Sequence, residues 1–415
     1  MPKKERVEVK DLQPGMYVAE LDRPWVGTPF VFQGFPIKSA DDIAEIGRYC
    51  EFVYVDREQS FTKDTGITAS SGSLKSPRGR SAEGRPYSRT VEEELRTAKR
   101  VLDHTGEILE DFYNDVRAGS SISGTEVRKT VSQMVQSIMR NPDALILLGS
   151  LGEKDEYATV HALNICILSM AFGRHIGMGE KALLELGIGA LLHDVGELCV
   201  PAEILEKSPR LSPDEFRIMK THTDKGAEIL AHAHEMPESA AEVARCHHER
   251  ENGSGYPRGL RGVDVHRFAK IVAIVDAYET VTRVRQGRSL STVDALKYMY
   301  NWRGELFDAE LVEEFIQCIG IYPVGSVVEL SSGEVGVVIS VEPDQRLMPK
   351  VMLVRDEDKK PYYPPHIMNL ARFSAESTAT PLEIQRVLEP GAYGIDIRNY
   401  VLREVPLQGV SFRRQ

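Results

Sequence analysis

The sequence predicts a multidomain, mainly α-helical protein, in which an all-α domain lies between a small α+β domain and a small β-rich appendage. Three observations support this fold class. Apolar residues recur at helical spacing between about Val91 and Ile319. The segments on either side are shorter, and they alternate or are rich in β-branched residues, as strands are. The length of 415 residues leaves room for two to three domains of about 150 residues each.

The N-terminal domain is predicted to be a small α+β unit spanning residues 1–59. Residues 7–18, 30–32 and 52–55 are rich in apolar β-branched or aromatic residues and predict strands. Residues 39–49 predict a short helix, because their two isoleucines lie three residues apart and so share one face. This domain contains no cluster of residues suited to catalysis.

A flexible linker is predicted over residues 60–90. The segment is rich in Ser, Gly, Arg and Pro and has almost no large apolar residue, so it cannot bury enough surface to offset the cost of ordering. A basic arm that docks on a partner is the alternative interpretation.

The central domain, residues 91–320, is predicted to contain at least seven helices. Its first turn carries three consecutive glutamates, which the helix dipole favours at an N-terminus. Residues 321–372 predict the β appendage, because three of their segments alternate or are β-branched and two of these flank a Ser-Ser-Gly-Glu turn. Residues 373–415 are a weakly patterned tail.

Charge and cysteine content exclude several classes of function. Lys and Arg number 51 and Asp and Glu number 62, which gives a net charge of −11. A chain this acidic is poorly suited to bind a nucleic-acid polymer or a membrane surface, although a few local cations can still hold a small anion. The five cysteines are scattered, and no apolar run is long enough for a signal or a membrane span. We therefore expect a reduced, cytoplasmic protein.

The central domain concentrates side chains that bind metals. They are His161, His193, Asp194, His222, His247, His248 and Asp276. Neutral imidazoles with a carboxylate able to bridge two ions are what a cluster of divalent transition metals requires. Burying Asp276 in its apolar segment costs several kcal/mol unless a metal or cation pairs with it. The alternative interpretation is a set of separate, hydrogen-bonded core histidines.

The sequence after the paired histidines is HHERENGSGYPRGLRG, from His247 to Gly262. Together with the His193–Asp194 dipeptide and His222, it resembles the HD-GYP family of bacterial cyclic di-GMP phosphodiesterases. The resemblance runs from about residue 157 to residue 319, so the central domain is expected to have the HD-type helical fold. Residues 7–56 resemble the small regulatory domain often found ahead of such domains.

The resemblance implies a site for two divalent transition-metal ions, iron or manganese. Asp194 is expected to bridge the ions and, with His193, to be catalytic. His193 and Asp276 are expected at one ion, and the second is expected to bind His222, His247 and His248. Family members with a further metal use an upstream His and a Glu four residues before it. Here these positions are His161 and Tyr157, so His161 is expected to be a peripheral ligand or a phosphate contact.

The implied reaction is hydrolysis of cyclic di-GMP to linear pGpG, with a further step to GMP left open. Two metal ions about 3.5–4 Å apart activate a water and clamp the phosphodiester oxygens. Arg285 and Arg288 match the cations that the family places near the phosphates. Glu197 stands where the family usually has Lys. It is expected to weaken substrate binding, to ligate a metal, or to pair with one of the two arginines.

The loop from Glu251 to Leu260 has three interpretations. Tyr256 stacks on a guanine, or the loop docks diguanylate-cyclase proteins, as the family implies, or the loop is a structural cap over the paired histidines. Two alternative functions also stay open. One is a cyclic di-GMP receptor whose catalysis is impaired by Glu197, and the other is a phosphohydrolase of another cyclic nucleotide.

Overall fold

The computed structural model describes two compact units, within residues 1–78 and 79–415. The described residues are 4–21, 35–37, 40–56, 87–120, 122–152, 157–205, 207, 212–282, 291–342, 345–376, 382–389 and 391–401. Most of the predicted linker, the strand predicted at residues 30–32, Arg285, Arg288 and the end of the predicted tail lie outside these residues.

The first unit is a four-stranded antiparallel sheet with one helix. Its elements are β1 Lys4–Glu8, β2 Tyr17–Leu21, β3 Phe35–Pro36, α1 Ala40–Tyr49 and β4 Phe52–Asp56. The strands are ordered β1–β4–β2–β3, and Val18 of β2 lies opposite Val55 of β4. Val18, Val53 and Ile46 are fully buried, so the sheet and the apolar face of α1 share one core.

The second unit contains the helical domain that the sequence predicts, which confirms a mainly α fold class. Its helices are α2 Val91–Ala118, α3 Thr125–Arg140, α4 Pro142–Gly149, α5 Tyr157–His175, α6 Glu180–Leu191, α7 Ala202–Leu205, α8 Pro213–His232, α9 Glu238–Cys246, α10 Arg267–Thr282, α11 Thr292–Asn301 and α12 Ala309–Ile319. A short 3₁₀ helix, Val195–Cys199, follows α6. None of the described helices is both long and apolar enough to cross a membrane.

The N-terminus of α2 is capped and tied to α3. The Glu93 side chain accepts a hydrogen bond from the Thr90 backbone N–H at 2.9 Å, and the Thr90 hydroxyl accepts one from Glu93 N–H. Glu94 is completely buried and accepts hydrogen bonds from Nε and Nη2 of Arg140 at 2.8 and 2.6 Å. The predicted acidic turn therefore serves both as a cap and as a bridge between two helices.

Helices α5, α6 and α10 are apolar on most faces, as helices inside a large core are. In α10, Ile271, Ile274 and Val275 are completely buried. Polar side chains on such helices must find partners on neighbouring helices, because leaving them unpaired in the core costs several kcal/mol. This arrangement directs His161 of α5 and Asp276 of α10 toward each other.

A five-stranded antiparallel sheet follows the helices. The elements are β5 Val327–Leu330, β6 Val335–Ser340, β7 Lys350–Arg355, β8 Pro361–Asn369, α13 Leu370–Glu376, β9 Ile384–Leu388 and α14 Arg398–Val401. The strands are ordered β8–β7–β6–β5–β9. The predicted hairpin turn joins β5 to β6, where Gly333 has a φ of 87° that favours glycine and donates to the Leu330 carbonyl at 2.9 Å.

The β structure extends beyond the predicted boundary at Arg372, because β9 pairs with β5 from within the predicted tail. Ile384 is the one buried residue of this edge strand, and the others are exposed or half-buried. An edge strand with one buried residue needs no regular alternation of apolar and polar residues. The sequence of this segment is therefore only weakly patterned.

The sheet packs against the helical domain of the same unit. A single apolar cluster joins Leu147 of α4 to the sheet residues Val327, Val335, Val337, Ile339 and Met352. Beside it, the buried carboxylate of Asp143 accepts hydrogen bonds from Ser340 Oγ at 2.7 Å and from Val341 N–H at 3.0 Å. A polar contact therefore fixes the sheet at the end of β6.

Candidate metal centre

The His193–Asp194 pair lies where α6 ends and the 3₁₀ helix begins. Both Leu191 and Leu192 are buried, so the chain enters the site from the core. His193 is completely buried, and its Nδ1–H donates to the Ala190 carbonyl at 2.8 Å. This bond fixes the ring and leaves Nε2 as the atom that can bind a metal.

Gly196 allows the segment after the pair to contact α8 directly. A Cβ at this position would overlap the His222 carbonyl oxygen and come within 2.5 Å of Gly226 N. Only glycine permits this approach, which brings His222 next to Asp194. The Nδ1–H of His222 donates to the Met219 carbonyl at 2.7 Å, so its Nε2 also points into the cluster.

The paired histidines lie at the C-terminal end of α9. The Nδ1–H of His247 donates to the Ala244 carbonyl at 2.9 Å, again one helical turn back. The rings of His247 and His248 are 4.1 Å apart, and His248 is 5.1 Å from the ring of His222. Three histidines from two helices therefore meet at one point.

The carboxylate of Asp194 lies between two groups of ligands. Its Oδ1 is 3.5 Å from His222 Nε2 and 3.2 Å from His247 Nε2. Its Oδ2 is 3.1 Å from His193 Nε2. Potential ligand atoms of Asp194, His222, His247 and His248 all lie within 4.8 Å of one another.

The second group consists of His161, His193 and Asp276, whose ligand atoms also lie within 4.8 Å of one another. His161 Nε2 is 3.5 Å from Asp276 Oδ1 and 3.9 Å from Asp194 Oδ2. The structure thus brings together all seven histidine and aspartate residues that the sequence predicts. His161 belongs to one of the two ligand groups, and its expected role as a peripheral ligand or a phosphate contact stays a prediction.

Glu279 is a residue that the sequence did not single out. It lies one turn after Asp276 on α10 and is buried. Its Oε2 accepts a hydrogen bond from His161 Nδ1 at 2.7 Å, and its Oε1 accepts one from Asn164 Nδ2 at 3.2 Å. The sequence did carry one signal that could have identified Glu279. It lies three residues after Asp276 on an apolar helix, so the two acids share one face.

The charges around these residues favour a cation. Burial opposes protonation of His161, but hydrogen bonds to Asp276 and Glu279 outweigh it and raise its pKa to about 11. Burial likewise opposes ionisation of Asp276, yet His161 holds the pKa of that carboxyl below its usual range. Burial and the neighbouring rings hold the pKa of His222 and His248 low, so both are neutral and able to bind a metal.

One buried nitrogen without a hydrogen-bond partner indicates whether these residues fit a metal ion. His193 Nε2 is buried and makes no hydrogen bond, although it lies close to Asp194. A buried nitrogen without a partner costs free energy, and a metal ion would satisfy it. Imidazole nitrogens with bridging and terminal carboxylates suit divalent transition metals, so the residues present fit such ions.

Glu197 lies in the 3₁₀ helix beside the cluster. Burial and the nearby Asp194 carboxylate raise its pKa to about 8. Within the described part of the chain, Glu197 belongs to neither ligand group. Its predicted pairing with Arg285 or Arg288 falls on residues that lie outside that part.

The loop after the paired histidines is tied to them by Glu249. The buried carboxylate of this residue accepts hydrogen bonds from Arg258 N–H at 2.8 Å and Leu260 N–H at 2.9 Å. The ring of Tyr256 lies 4.7 Å from the ring of His248. These contacts support the structural-cap interpretation and also place Tyr256 beside the cluster. Docking of diguanylate-cyclase proteins stays a prediction.

Three family models match parts of the chain. Residues 149–311 match an HD domain, residues 4–127 match a domain of unknown function (DUF3391), and residues 327–378 match a KOW domain associated with HD domains. The HD match includes all members of both ligand groups.

Several relatives are named as cyclic dinucleotide phosphodiesterases. A cyclic di-GMP phosphodiesterase of Pseudomonas aeruginosa is 29% identical over 370 residues, or 88% of this chain and 89% of the relative. One of Thermotoga maritima is 34% identical over 42% of this chain and 48% of the relative. A 3′3′-cGAMP-specific phosphodiesterase of Vibrio cholerae is 26% identical over 46% of this chain and 35% of the relative. This chain spans most of the first relative and less than half of the other two.

Among solved structures, an HD-G"Y"P protein from Bdellovibrio bacteriovorus is 16% identical to this chain. The match has a TM-score of 0.40 and covers 76% of this chain and 98% of that one.

Proposed function

Because this chain belongs to the HD-GYP family, we propose that it hydrolyses cyclic di-GMP to linear pGpG with two divalent metal ions. The names of its relatives support a cyclic dinucleotide as the substrate class. The observation that carries the proposal is the Asp194 carboxylate, whose two oxygens face two separate sets of imidazole Nε2 atoms. A carboxylate so placed suits a bridge between two ions, an arrangement that many phosphodiester-cleaving enzymes use.

The residues that would hold the ions follow from the two groups. We assign His161, His193 and Asp276 to one ion and His222, His247 and His248 to the other, with Asp194 shared. Iron or manganese suits this set of imidazoles and carboxylates. When bound, the ions supply Lewis-acid activation of the phosphodiester and of the attacking water.

The protein side chains supply rigidity and an opening for substrate. His193 and His247 are completely buried, each held by a hydrogen bond to a helix carbonyl, so their rings keep their orientation. The side chains of Asp194 and Asp276 are 23% and 16% exposed. Solvent therefore reaches the cluster from the carboxylate side, and a substrate phosphate would approach from there.

The substrate carries two phosphates, so its charge must be balanced near the cluster. We assign this role to Arg285 and Arg288, because a guanidinium matches the geometry of phosphate oxygens. Glu197 acts against binding when it is ionised, since an anion beside a dianionic substrate is repelled. This side chain is also the ground for the alternative of a cyclic di-GMP receptor.

A second candidate substrate is 3′3′-cGAMP, because relatives from Vibrio cholerae carry that specificity in their names. The two dinucleotides differ in one base and share the phosphodiester chemistry. Contacts to the base, and not the metal ligands, would decide between them.

The test is turnover of both dinucleotides by purified protein loaded with Mn or Fe, with products separated by chromatography. We expect pGpG from cyclic di-GMP, and the same trace shows whether GMP follows. Asp194→Asn should lose bound metal and turnover together, whereas Asp111→Asn, on the exposed side of α2, should keep both. Binding of cyclic di-GMP without any product from either metal would favour the receptor, and turnover by Asp194→Asn would contradict the two-metal assignment.

A further inference from the structure

A line of aromatic rings leads from the metal centre to the surface. The ring of Tyr256 lies 4.7 Å from His248 and 6.4 Å from His222, both in the ligand group around Asp194. The ring of Phe216, on α8, lies a further 6.2 Å from Tyr256 at an interplanar angle of 81°. Phe216 is 47% exposed, so an aromatic face next to the cluster is open to solvent.

A lysine lies over both of these rings. The Nζ atom of Lys220 is 5.2 Å from the ring centroid of Phe216 and 5.8 Å from that of Tyr256. Both distances are within the range of a cation–π interaction. Among the described residues, no carboxylate lies within ion-pair distance of this ammonium. A positive charge is therefore held at the rim of the site and keeps its hydrogen-bond donors for a ligand.

We propose that Phe216, Lys220 and Tyr256 form a nucleotide subsite beside the metal centre, in which a purine base stacks on the exposed ring of Phe216 with Tyr256 beside it, and Lys220 contacts a phosphate oxygen. The inference rests on the proposed function and adds two residues of α8, Phe216 and Lys220, to it. Base stacking on exposed aromatic rings is a common and strong mode of nucleotide binding. An ammonium beside the rings selects a nucleotide over an uncharged aromatic ligand.

The electrostatics of the centre support this placement. Asp194, Asp276 and Glu279 put three carboxylates in or beside the cluster, and Glu197 is close to them. The proposed substrate is a dianion, which needs positive charge on its own side of the metals. Lys220 lies two residues before the ligand His222 on the same helix, so it supplies this charge at the rim.

The position of the rings also matches the shape of the ligand. A phosphodiester held at the cluster carries a nucleoside on each side, and the base of one of them must leave the cluster along some surface. The open aromatic surface that begins at His248 and ends at Phe216 suits that base, since each ring along it offers a face or an edge.

Two substitutions on α8 and two matched controls test the subsite. Phe216→Ala removes the outer ring, and Ile218→Ala removes a similarly exposed apolar side chain, 41% exposed, from the same helix. Lys220→Met removes the rim charge, and Lys181→Met removes an exposed lysine at the start of α6. Because Phe216 and Ile218 are both surface residues, neither truncation creates a core cavity.

The measurements are binding of a slowly hydrolysed phosphorothioate analogue of cyclic di-GMP by calorimetry, and kcat and KM for cyclic di-GMP and for bis(p-nitrophenyl) phosphate. Phe216→Ala should weaken binding of the analogue by about 5- to 150-fold, the range expected for one stacked base. The increase in KM for cyclic di-GMP should exceed that for the small diester at least fivefold. Lys220→Met should weaken binding and reduce its dependence on salt, and the two controls should stay within twofold of the unmodified protein.

The outcomes separate the subsite from the proposed function. Equal binding by Phe216→Ala and Ile218→Ala, in a protein that cleaves cyclic di-GMP, overturns the subsite and leaves the function standing. Equal losses on the dinucleotide and on the small diester also count against the subsite, because they indicate damage to the metal centre. If the protein binds the analogue and cleaves no cyclic di-GMP, the function fails while the binding ratio still decides the subsite. If the protein does not bind the analogue, both the subsite and the proposed function are wrong.

Discussion

Nδ1 of His161 lies 2.7 Å from Oε2 of Glu279, so a hydrogen bond joins α5 to α10 beside the metal centre. Asn164, one turn after His161, donates to the other oxygen of the same carboxylate. The carboxylate fixes the ring of His161 with its Nε2 toward Asp276. It also makes the imidazole a more basic ligand, as carboxylates behind metal-binding histidines do.

Replacing Glu279 should weaken metal binding. In Glu279→Gln the amide keeps the shape and can still accept the hydrogen bond, but it removes the negative charge behind the imidazole. We expect metal affinity to fall about 10- to 100-fold. Competition with a chelator of known affinity measures this loss. Glu107→Gln, on the exposed side of α2, is the matched control, and unchanged affinity in Glu279→Gln would show that Glu279 has only a packing role.

The core ligands of the centre could be predicted because their motifs are long and ordered along the chain. Glu279 was not predicted, because a glutamate three residues after an aspartate is common on a helix surface. Only the burial of its side chain distinguishes it here. The approach of His161 to Asp276 was not predicted for a similar reason, because it depends on the packing of α5 against α10, which no local pattern encodes.

The secondary structure shows the same division between local and long-range information. The helical domain and the β5–β6 hairpin follow from periodicity and turn residues, so both were predicted. Strand β9 was not, because its one buried residue, Ile384, gives no alternation. Its place in the sheet depends on pairing with β5, where Val328 lies opposite Val387, 59 residues later in the chain. That pairing is set by tertiary contacts and not by propensity.

Glu197 is predicted to limit substrate binding. Glu197→Lys replaces an acidic group beside Asp194 with a cation, and a pair of unit charges near a protein surface interacts with about 1 to 4 kcal/mol. Above about pH 8, where Glu197 is ionised, we expect KM for cyclic di-GMP to fall on the order of tenfold in Glu197→Lys, and by a smaller factor in Glu197→Gln. Steady-state kinetics at constant metal saturation measure the effect. Loss of bound metal in Glu197→Lys would instead identify Glu197 as a ligand.

Gly255 should not tolerate a side chain. A Cβ there would lie within 2.5 Å of Glu249 Cα and of the His248 carbonyl oxygen, both backbone atoms that cannot move away independently. We expect Gly255→Ala to lower the free energy of unfolding by about 1–3 kcal/mol and to separate Tyr256 from His248. Gly106→Ala, inside α2, is the control, because its Cβ would meet only side chains of α5, at 3.7 Å or more.

The two glycines should therefore respond with opposite signs. Alanine is favoured over glycine inside a helix by up to about 1 kcal/mol, so Gly106→Ala should stabilise the protein. Chemical denaturation of both variants provides the comparison. A neutral or stabilising Gly255→Ala would mean that the loop does not pack on the paired histidines as described.

Asp143 should make the stability of the second unit depend on pH. Burial raises the pKa of this carboxyl to about 6, although hydrogen bonds from Ser340 and Val341 favour the charged form. The ordinary value is 3.8. The folded protein therefore binds the proton more tightly than the unfolded chain does. The resulting stabilisation is complete below about pH 4 and is lost as the pH rises through 6.

Asp143→Asn should remove this dependence, because an amide is neutral at every pH and can still accept the hydrogen bond from Val341. From pH 3 to pH 8, the free energy of unfolding of Asp143→Asn should rise by about 3 kcal/mol relative to that of the unmodified protein, since one pKa unit corresponds to about 1.4 kcal/mol. Urea denaturation at a series of pH values measures the difference. Asp111 is exposed, so the free energy of unfolding of Asp111→Asn should depend on pH in the same way as that of the unmodified protein. Parallel curves for Asp143→Asn as well would show that the carboxylate is not buried against the sheet.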